Sequence, residues 1–83
     1  MEKTIYSAQE KILRNLLRQI RLDANLRQAD LAQRLNEPQS FISKYESGER
    51  RLDIIELRNV CSSLGISLVD LVKRFERALD ESK

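Results

Sequence analysis

Two short amphipathic segments joined by a tight turn are the feature of this sequence that most constrains its fold. Residues 28–35, QADLAQRL, are separated from residues 39–46 by only three residues, NEP. Asn36 tolerates the left-handed backbone that a tight turn needs, and Pro38 suits the start of a helix because it has no amide hydrogen to satisfy. The small side chain of Ala32 allows two helices to approach closely. Apolar anchors follow on both inner faces: Leu31, Leu35, Ile42 and Tyr45. This stretch therefore predicts two short helices packed at a steep angle.

One long helix is predicted before this pair. It opens at Ser7, with Glu10 three residues later in the spacing of a capping box. Apolar residues then recur at helical spacing: Ile12, Leu13, Leu16, Leu17 and Ile20. The segment 23–27 breaks the pattern.

Two more helices are predicted after the pair, once Gly48 has ended the second short helix. The first is capped by Asp53 with Glu56, and Gly65 ends it. Its apolar face carries Ile54, Leu57, Val60, Cys61 and Leu64. The last helix spans residues 67–80, opens with Ser67 and Asp70, and carries the stripe Leu68, Leu71, Val72, Phe75 and Leu79.

The composition excludes several classes of protein. The 83 residues predict a single domain, 1–83. The chain has no histidine and one cysteine, Cys61, so no internal disulfide and no Cys/His zinc site can form. We therefore expect no metal, no cofactor and no enzymatic activity. No apolar run reaches the length of a bilayer span and no signal peptide is apparent, which favours a cytoplasmic protein. A net charge of +2 does not by itself indicate nucleic-acid binding.

Three runs of the sequence, QADLAQRL, SFISKYESGERR and VCSSLGIS, resemble the phage repressor and Cro-like (XRE-type) family of helix-turn-helix transcriptional regulators. The resemblance covers about residues 8–72. It implies an all-α, compact five-helix bundle of the lambda-repressor-like DNA-binding type, with the helix-turn-helix motif at 28–47. It also implies a DNA-binding regulator that reads double-stranded DNA through helix 39–46. A homodimeric repressor on a pseudopalindromic operator is the form we expect, because two copies double the base contacts.

The resemblance further implies roles for individual side chains. Gln28 matches a glutamine that hydrogen-bonds a DNA phosphate. Arg50 and Arg51 fall in a loop that approaches the phosphate backbone of a DNA strand. Ser43 matches a position near that backbone. The positions that face base edges are Gln39, Ser40 and Lys44. Amide, hydroxyl and ammonium groups are the types that read or position DNA in the major groove.

A structural pair and two departures from the family pattern complete the comparison. Arg21 and Glu46 match a semi-buried salt bridge that ties the first helix to the recognition helix. Arg27 and Pro38 stand where the family has Ser or Thr caps, so neither motif helix has its usual N-cap side chain. Glu37 stands where the turn usually buries an apolar residue, which predicts a more open turn.

The last helix leaves two interpretations open. Either it packs fully on its own core, or Phe75 and Leu79 contribute to a dimer interface, which we favour. Two alternatives share the fold: a restriction–modification controller and the antitoxin of a toxin pair. A protein-interaction module that has lost DNA binding, with an unknown protein partner, is the alternative from another class.

Overall fold

The computed structural model describes residues 5–82, with side chains from residue 8 onward. Within that range the chain forms five helices and no strand, which confirms the predicted all-α bundle. None of these helices is long and apolar enough to cross a bilayer. In chain order they are α1 (Ile5–Asp23), α2 (Gln28–Leu35), α3 (Gln39–Ser47), α4 (Ile54–Leu64) and α5 (Leu68–Glu81).

The core is formed by the inward faces of all five helices. Helix α3 packs on α1 and α2, α4 packs on α2 and α5, and α5 returns to α1. Cys61 is fully buried there, and burial raises the pKa of its thiol to about 11. A protonated, inaccessible thiol acts as a small apolar residue. The other buried apolar residues are Leu17, Ile20, Leu31, Ala32, Ile42, Tyr45, Val60, Leu64 and Leu71.

In the turn between α2 and α3, the prediction of a left-handed residue is confirmed. Asn36 adopts the left-handed conformation, with φ of 57°. The amide of Glu37 donates to the Ala32 carbonyl at 2.9 Å, and that of Asn36 donates to the Gln33 carbonyl at 3.2 Å. These two bonds satisfy two of the carbonyls in the last turn of α2. The side chain of Glu37 remains exposed, so this turn buries no apolar residue at that position.

The caps of α4 and α5 differ in one respect. The Asp53 carboxylate accepts the Glu56 amide at 2.7 Å, and the Glu56 carboxylate accepts the Asp53 amide at 3.0 Å, which confirms the predicted capping box. Ser67 accepts the Asp70 amide at 2.9 Å. The Asp70 carboxylate instead pairs with Arg74 at 3.0 Å, so the second half of that box is missing.

Two local predictions were wrong. Within the described residues α1 already includes Ile5, so Ser7 lies inside the helix and is not its first residue. In the sequence the apolar period extends back to position 5, two helical turns before Ile12. The Glu10 carboxylate pairs with Arg14 at 2.8 Å. Ile54 was predicted on the buried face of α4, but it is 65% exposed. The first turn of α4 extends beyond the packed core.

Candidate nucleic-acid interface

The outer face of α3 carries the polar side chains that the sequence singled out. Gln39, Ser40 and Lys44 are exposed, and Ser43 is half-buried. The inner face is apolar, with Ile42 and Tyr45 both buried in the core. The ammonium of Lys44 has no partner among the described side chains. Helix α3 therefore presents a short polar surface on a firmly packed backbone.

A chain of hydrogen bonds orients the first of these side chains. Nε2 of Gln39 donates to Oε1 of Gln28 at 3.3 Å. Nε2 of Gln28 in turn donates to Oε1 of Glu46 at 2.9 Å. Gln28 is the first residue of α2 and Gln39 is the first residue of α3, so the contact between them also links the starts of the two helices. The carbonyl oxygen of Gln39 and one of its amide hydrogens are left free to face outward.

A buried ion pair anchors this chain to α1. The Arg21 guanidinium donates from Nε to Glu46 Oε2 at 2.8 Å and from Nη2 to Glu46 Oε1 at 3.0 Å. Its Nη1 donates to the Leu26 carbonyl at 2.8 Å. The two side chains are only 6% and 5% exposed. The hydrogen bonds to Glu46 raise the pKa of Arg21 despite its burial. Two-point geometry of this kind fixes the orientation of both side chains.

The two arginines that follow α3 have different surroundings. Arg50 donates to Glu56 at 2.6 and 3.2 Å, and its guanidinium carbon lies 4.7 Å from the centre of the Phe41 ring. This pairing with Arg50 lowers the pKa of Glu56. Arg51 is exposed, and its guanidinium has no partner among the described side chains. Arg50 therefore fastens the loop to α4, whereas Arg51 is available to a ligand.

The start of α2 is stabilised without an ordinary cap. Arginine has no acceptor to offer a helix amide. Instead, the Asp30 carboxylate accepts the Arg27 amide at 2.8 Å and pairs with its guanidinium at 2.8 Å. These contacts with Arg27 lower the pKa of Asp30 to about 2. Pro38, at the start of α3, makes no side-chain cap bond either.

Comparison with known proteins identifies the family. A helix-turn-helix family model matches residues 17–71. An XRE-family like protein from Pseudomonas syringae pv. tomato str. DC3000 is 41% identical, over 88% of this chain and 89% of that one, with a TM-score of 0.83. The chain belongs to the XRE family of helix-turn-helix proteins. It is a DNA-binding transcriptional regulator by that membership. No curated protein matches the sequence.

Solved structures at lower sequence identity share the fold. The wild-type restriction–modification controller protein C.Esp1396I is 23% identical, over 95% of this chain and 99% of its own, with a TM-score of 0.82. The tetramer of that controller in complex with its natural 35 base-pair operator is 24% identical, over 92% and 96%, with a TM-score of 0.79. These likenesses show that the two proteins share the same fold.

Sequence reasoning did not anticipate some contacts of this XRE-type surface. The hydrogen bond between Gln28 and Gln39 joins residues eleven positions apart. The stacking of Arg50 on Phe41 likewise depends on how the loop returns toward α3. Residue type gave no signal for either contact, because a long polar side chain has many rotamers until its neighbours are in place. Among the described side chains, no cluster suited to a metal ion is present.

Proposed function

We propose that this regulator is a cytoplasmic homodimer that represses transcription by inserting α3 into successive major grooves of a pseudopalindromic operator. The observation that carries the proposal is the exposed Gln39 amide, held by Gln28 and through it by the buried Arg21–Glu46 pair. A side chain oriented before binding loses less entropy when it meets a base edge. This surface is therefore suited to sequence reading.

The free groups on α3 match base edges in the major groove. The Gln39 carbonyl can accept from adenine N6 while its second amide hydrogen donates to N7, a two-point match. Lys44 can donate to guanine O6 or N7, and Ser40 can bond either a base or a phosphate. Ser43 is half-buried beside them, which suits a contact with the sugar–phosphate backbone.

Phosphate contacts would set the register of α3 on the duplex. Gln28 has one amide hydrogen left after its bonds to Gln39 and Glu46, and we assign it to a phosphate. Arg51 is the stronger cationic candidate, because it is exposed and unpaired among the described side chains. Arg50 is held by Glu56 and Phe41, so its contribution is to order the loop that carries Arg51.

A twofold dimer follows from the small size of the reading surface. One α3 helix reaches only a few base pairs, whereas two helices one DNA turn apart read a pseudopalindrome. We propose that α5 forms the interface through Phe75 and Leu79, both half-buried, with the exposed Val69 and Val72 beside them. Leu79 also lines a groove with Ile12 of α1, so part of its side chain faces its own chain.

A restriction–modification controller is the second candidate function. The observation that favours it is the shared fold with C.Esp1396I over nearly the whole of both chains. That protein binds its natural operator as a tetramer. The two candidates share the same DNA-reading chemistry and differ in the gene controlled. A methyltransferase or endonuclease gene beside this one, regulated by the operator, would distinguish them.

Selection of bound DNA from a random duplex library tests the proposal. The native protein should enrich an inverted repeat at fixed salt, and the Gln39→Ala, Lys44→Ala double variant should not. Gln33→Ala is a matched control, because it removes an exposed amide from α2 instead of α3. Circular dichroism should show the same helicity in all three proteins. No enrichment by a folded native protein at low salt would contradict DNA reading and favour a protein-interaction module.

A further inference from the structure

Helix α1 carries two exposed cations that the proposed reading of DNA does not use. Lys11 and Arg18 lie seven residues apart, so they share one side of the helix. Neither side chain makes a hydrogen bond or an ion pair with any described residue. The family resemblance assigns no residue of α1 to a DNA contact. The function of these two cations is therefore open.

Arg18 lies beside α3, because its neighbours along α1 contact that helix. One turn before it, Arg14 donates from Nη1 to the carbonyl of Glu46 at 3.4 Å. One turn after it, Arg21 pairs with the Glu46 carboxylate at 2.8 Å. Successive residues of a helix are about 100° apart, so Leu17 and Arg18 lie on opposite sides of Arg21. Leu17 is buried in the core, and Arg18 is on the solvent side of the contact between α1 and α3.

Helix α3 presents its reading residues on that same solvent side. By the same spacing, Ile42 and Ser43 lie on opposite sides of Glu46 around α3. Ile42 is buried in the core that also holds Leu17, whereas Ser43 lies toward the outer face. Both helices thus turn the same side of their contact toward the core. Arg18 and Ser43 therefore belong to one outer surface, which we call the α1–α3 face.

The α1–α3 face is positively charged, although the chain as a whole has a net charge of only +2. The exposed residues of this face come from both helices: Lys11, Asn15, Arg18 and Leu22 on α1, and Gln39, Ser40, Lys44 and Ser47 on α3. They include three cations and no carboxylate. The Glu46 carboxylate, between the two helices, is only 5% exposed and is paired with Arg21. An anion would therefore be attracted to this face.

No partner within α1 accounts for Arg18. The residues three and four positions away are Arg14, Asn15, Arg21 and Leu22, so none is a carboxylate and two are arginines. Like charges at this spacing are mildly destabilising to a helix. Arg18 is thus unfavourably placed in the free protein, and an anion from outside the chain would offset that repulsion.

We infer that Arg18 binds a phosphate of the DNA strand that borders α3, and that Lys11 extends this contact along α1. The inference rests on the proposed insertion of α3 into a major groove. A helix in that groove lies between two phosphate backbones, so cations beside it on the same outer surface are placed to meet one of them. Such a contact holds the protein in position and adds affinity without reading sequence.

The salt dependence of DNA binding tests this inference. Each lost phosphate contact reduces the slope of log affinity against log salt concentration by about 0.9. Arg18→Gln should show this reduction per protomer, with affinity roughly two- to fivefold weaker per protomer. The weakening should be equal on the selected operator and on a duplex of random sequence. Lys11→Gln combined with Arg18→Gln should reduce the slope further, and Arg18→Lys should restore it because the charge is kept.

Arg77→Gln is the matched control, because it removes the same charge from an exposed position on α5, outside the α1–α3 face. It should leave the slope unchanged. Urea unfolding should show that Arg18→Gln is no less stable than the native protein, since only like-charge repulsion is removed. A loss of stability would assign Arg18 a structural role and overturn the inference.

Two further outcomes separate this inference from the proposed function. If the native protein binds the operator and Arg18→Gln and Arg77→Gln give the same slope, the inference is overturned while DNA reading by α3 stands. If the native protein binds no duplex at low salt, both are overturned together. A reduced slope in Arg18→Gln alone, with unchanged preference for the operator, would establish the phosphate contact.

Discussion

Residues with left-handed backbone end four of the helices in the described range. Asn36, Gly48 and Gly65 could be predicted from the sequence, because each residue type tolerates positive φ and each follows an apolar helical face. Asn25 also has a left-handed backbone, with φ of 60°, and follows the end of α1. It was missed because segment 23–27 showed only a loss of periodicity.

Substitution of the two glycines should separate backbone strain from packing. Gly48→Ala and Gly65→Ala both place a Cβ in the left-handed region, which is unfavourable by about 1–2 kcal/mol. Only at position 48 does the Cβ meet a neighbour, the Arg14 guanidinium carbon at 3.0 Å, and nothing lies within 4 Å at position 65. Urea unfolding should therefore show the larger loss of stability in Gly48→Ala. Equal losses would show that the Arg14 side chain moves aside at no cost and would contradict this prediction.

At the scale of the helices, apolar periodicity and capping residues were sufficient to predict that each element is a helix and approximately where it begins and ends. Helix α2 has the predicted bounds, and α3 differs by one residue. The prediction for Ile54 was wrong because the spacing of apolar residues shows which of them lie on the same face of a helix. It does not show how far along the helix the packed core extends. The orientation of α3 against α1 depends on the Arg21–Glu46 pair, whose geometry only the fold displays. Family resemblance had suggested that pair, and the residues alone had not.

Breaking that pair should destabilise the protein and disturb the reading surface together. Glu46→Gln leaves Arg21 buried without its counter-charge, which costs about 3–5 kcal/mol. Thermal or urea unfolding should show this loss. Arg74→Gln is the matched control, because the Arg74–Asp70 pair is exposed and contributes about 0.5 kcal/mol or less. A loss in Glu46→Gln no larger than in the control would show that the buried pair does not hold α3 on α1.

At the scale of the whole molecule, the exposed apolar side chains indicate where two copies of the chain could pack together. Val69 and Ile55 are each 65% exposed, and Val72 is 46% exposed. Val69 lines a groove with Arg58 of α4, and Ile55 lies about one turn before Arg58 on that helix. The sequence had placed the dimer contact at Phe75 and Leu79. It could not show that these two are half-buried against their own chain.

A carboxylate on this face should disrupt the proposed dimer. Val72→Asp must desolvate a charge if the surface is buried between two copies, so dimer affinity should fall roughly tenfold or more. Sedimentation of the free protein measures the change. Ala24→Asp places the same group on the exposed turn after α1 and should leave dimer affinity unchanged. An unaltered dimer in Val72→Asp would place the interface elsewhere on the molecule.

The most direct test of the central claim is a double-mutant cycle between Gln39 and the bases of the selected operator. Each A·T pair is replaced in turn by G·C, and the affinity of native protein and Gln39→Ala is measured at one salt concentration. We predict one position in each half-site where the native protein loses about 1–3 kcal/mol and Gln39→Ala loses almost nothing further. If both proteins lose the same affinity at every position, Gln39 reads no base and the account is contradicted.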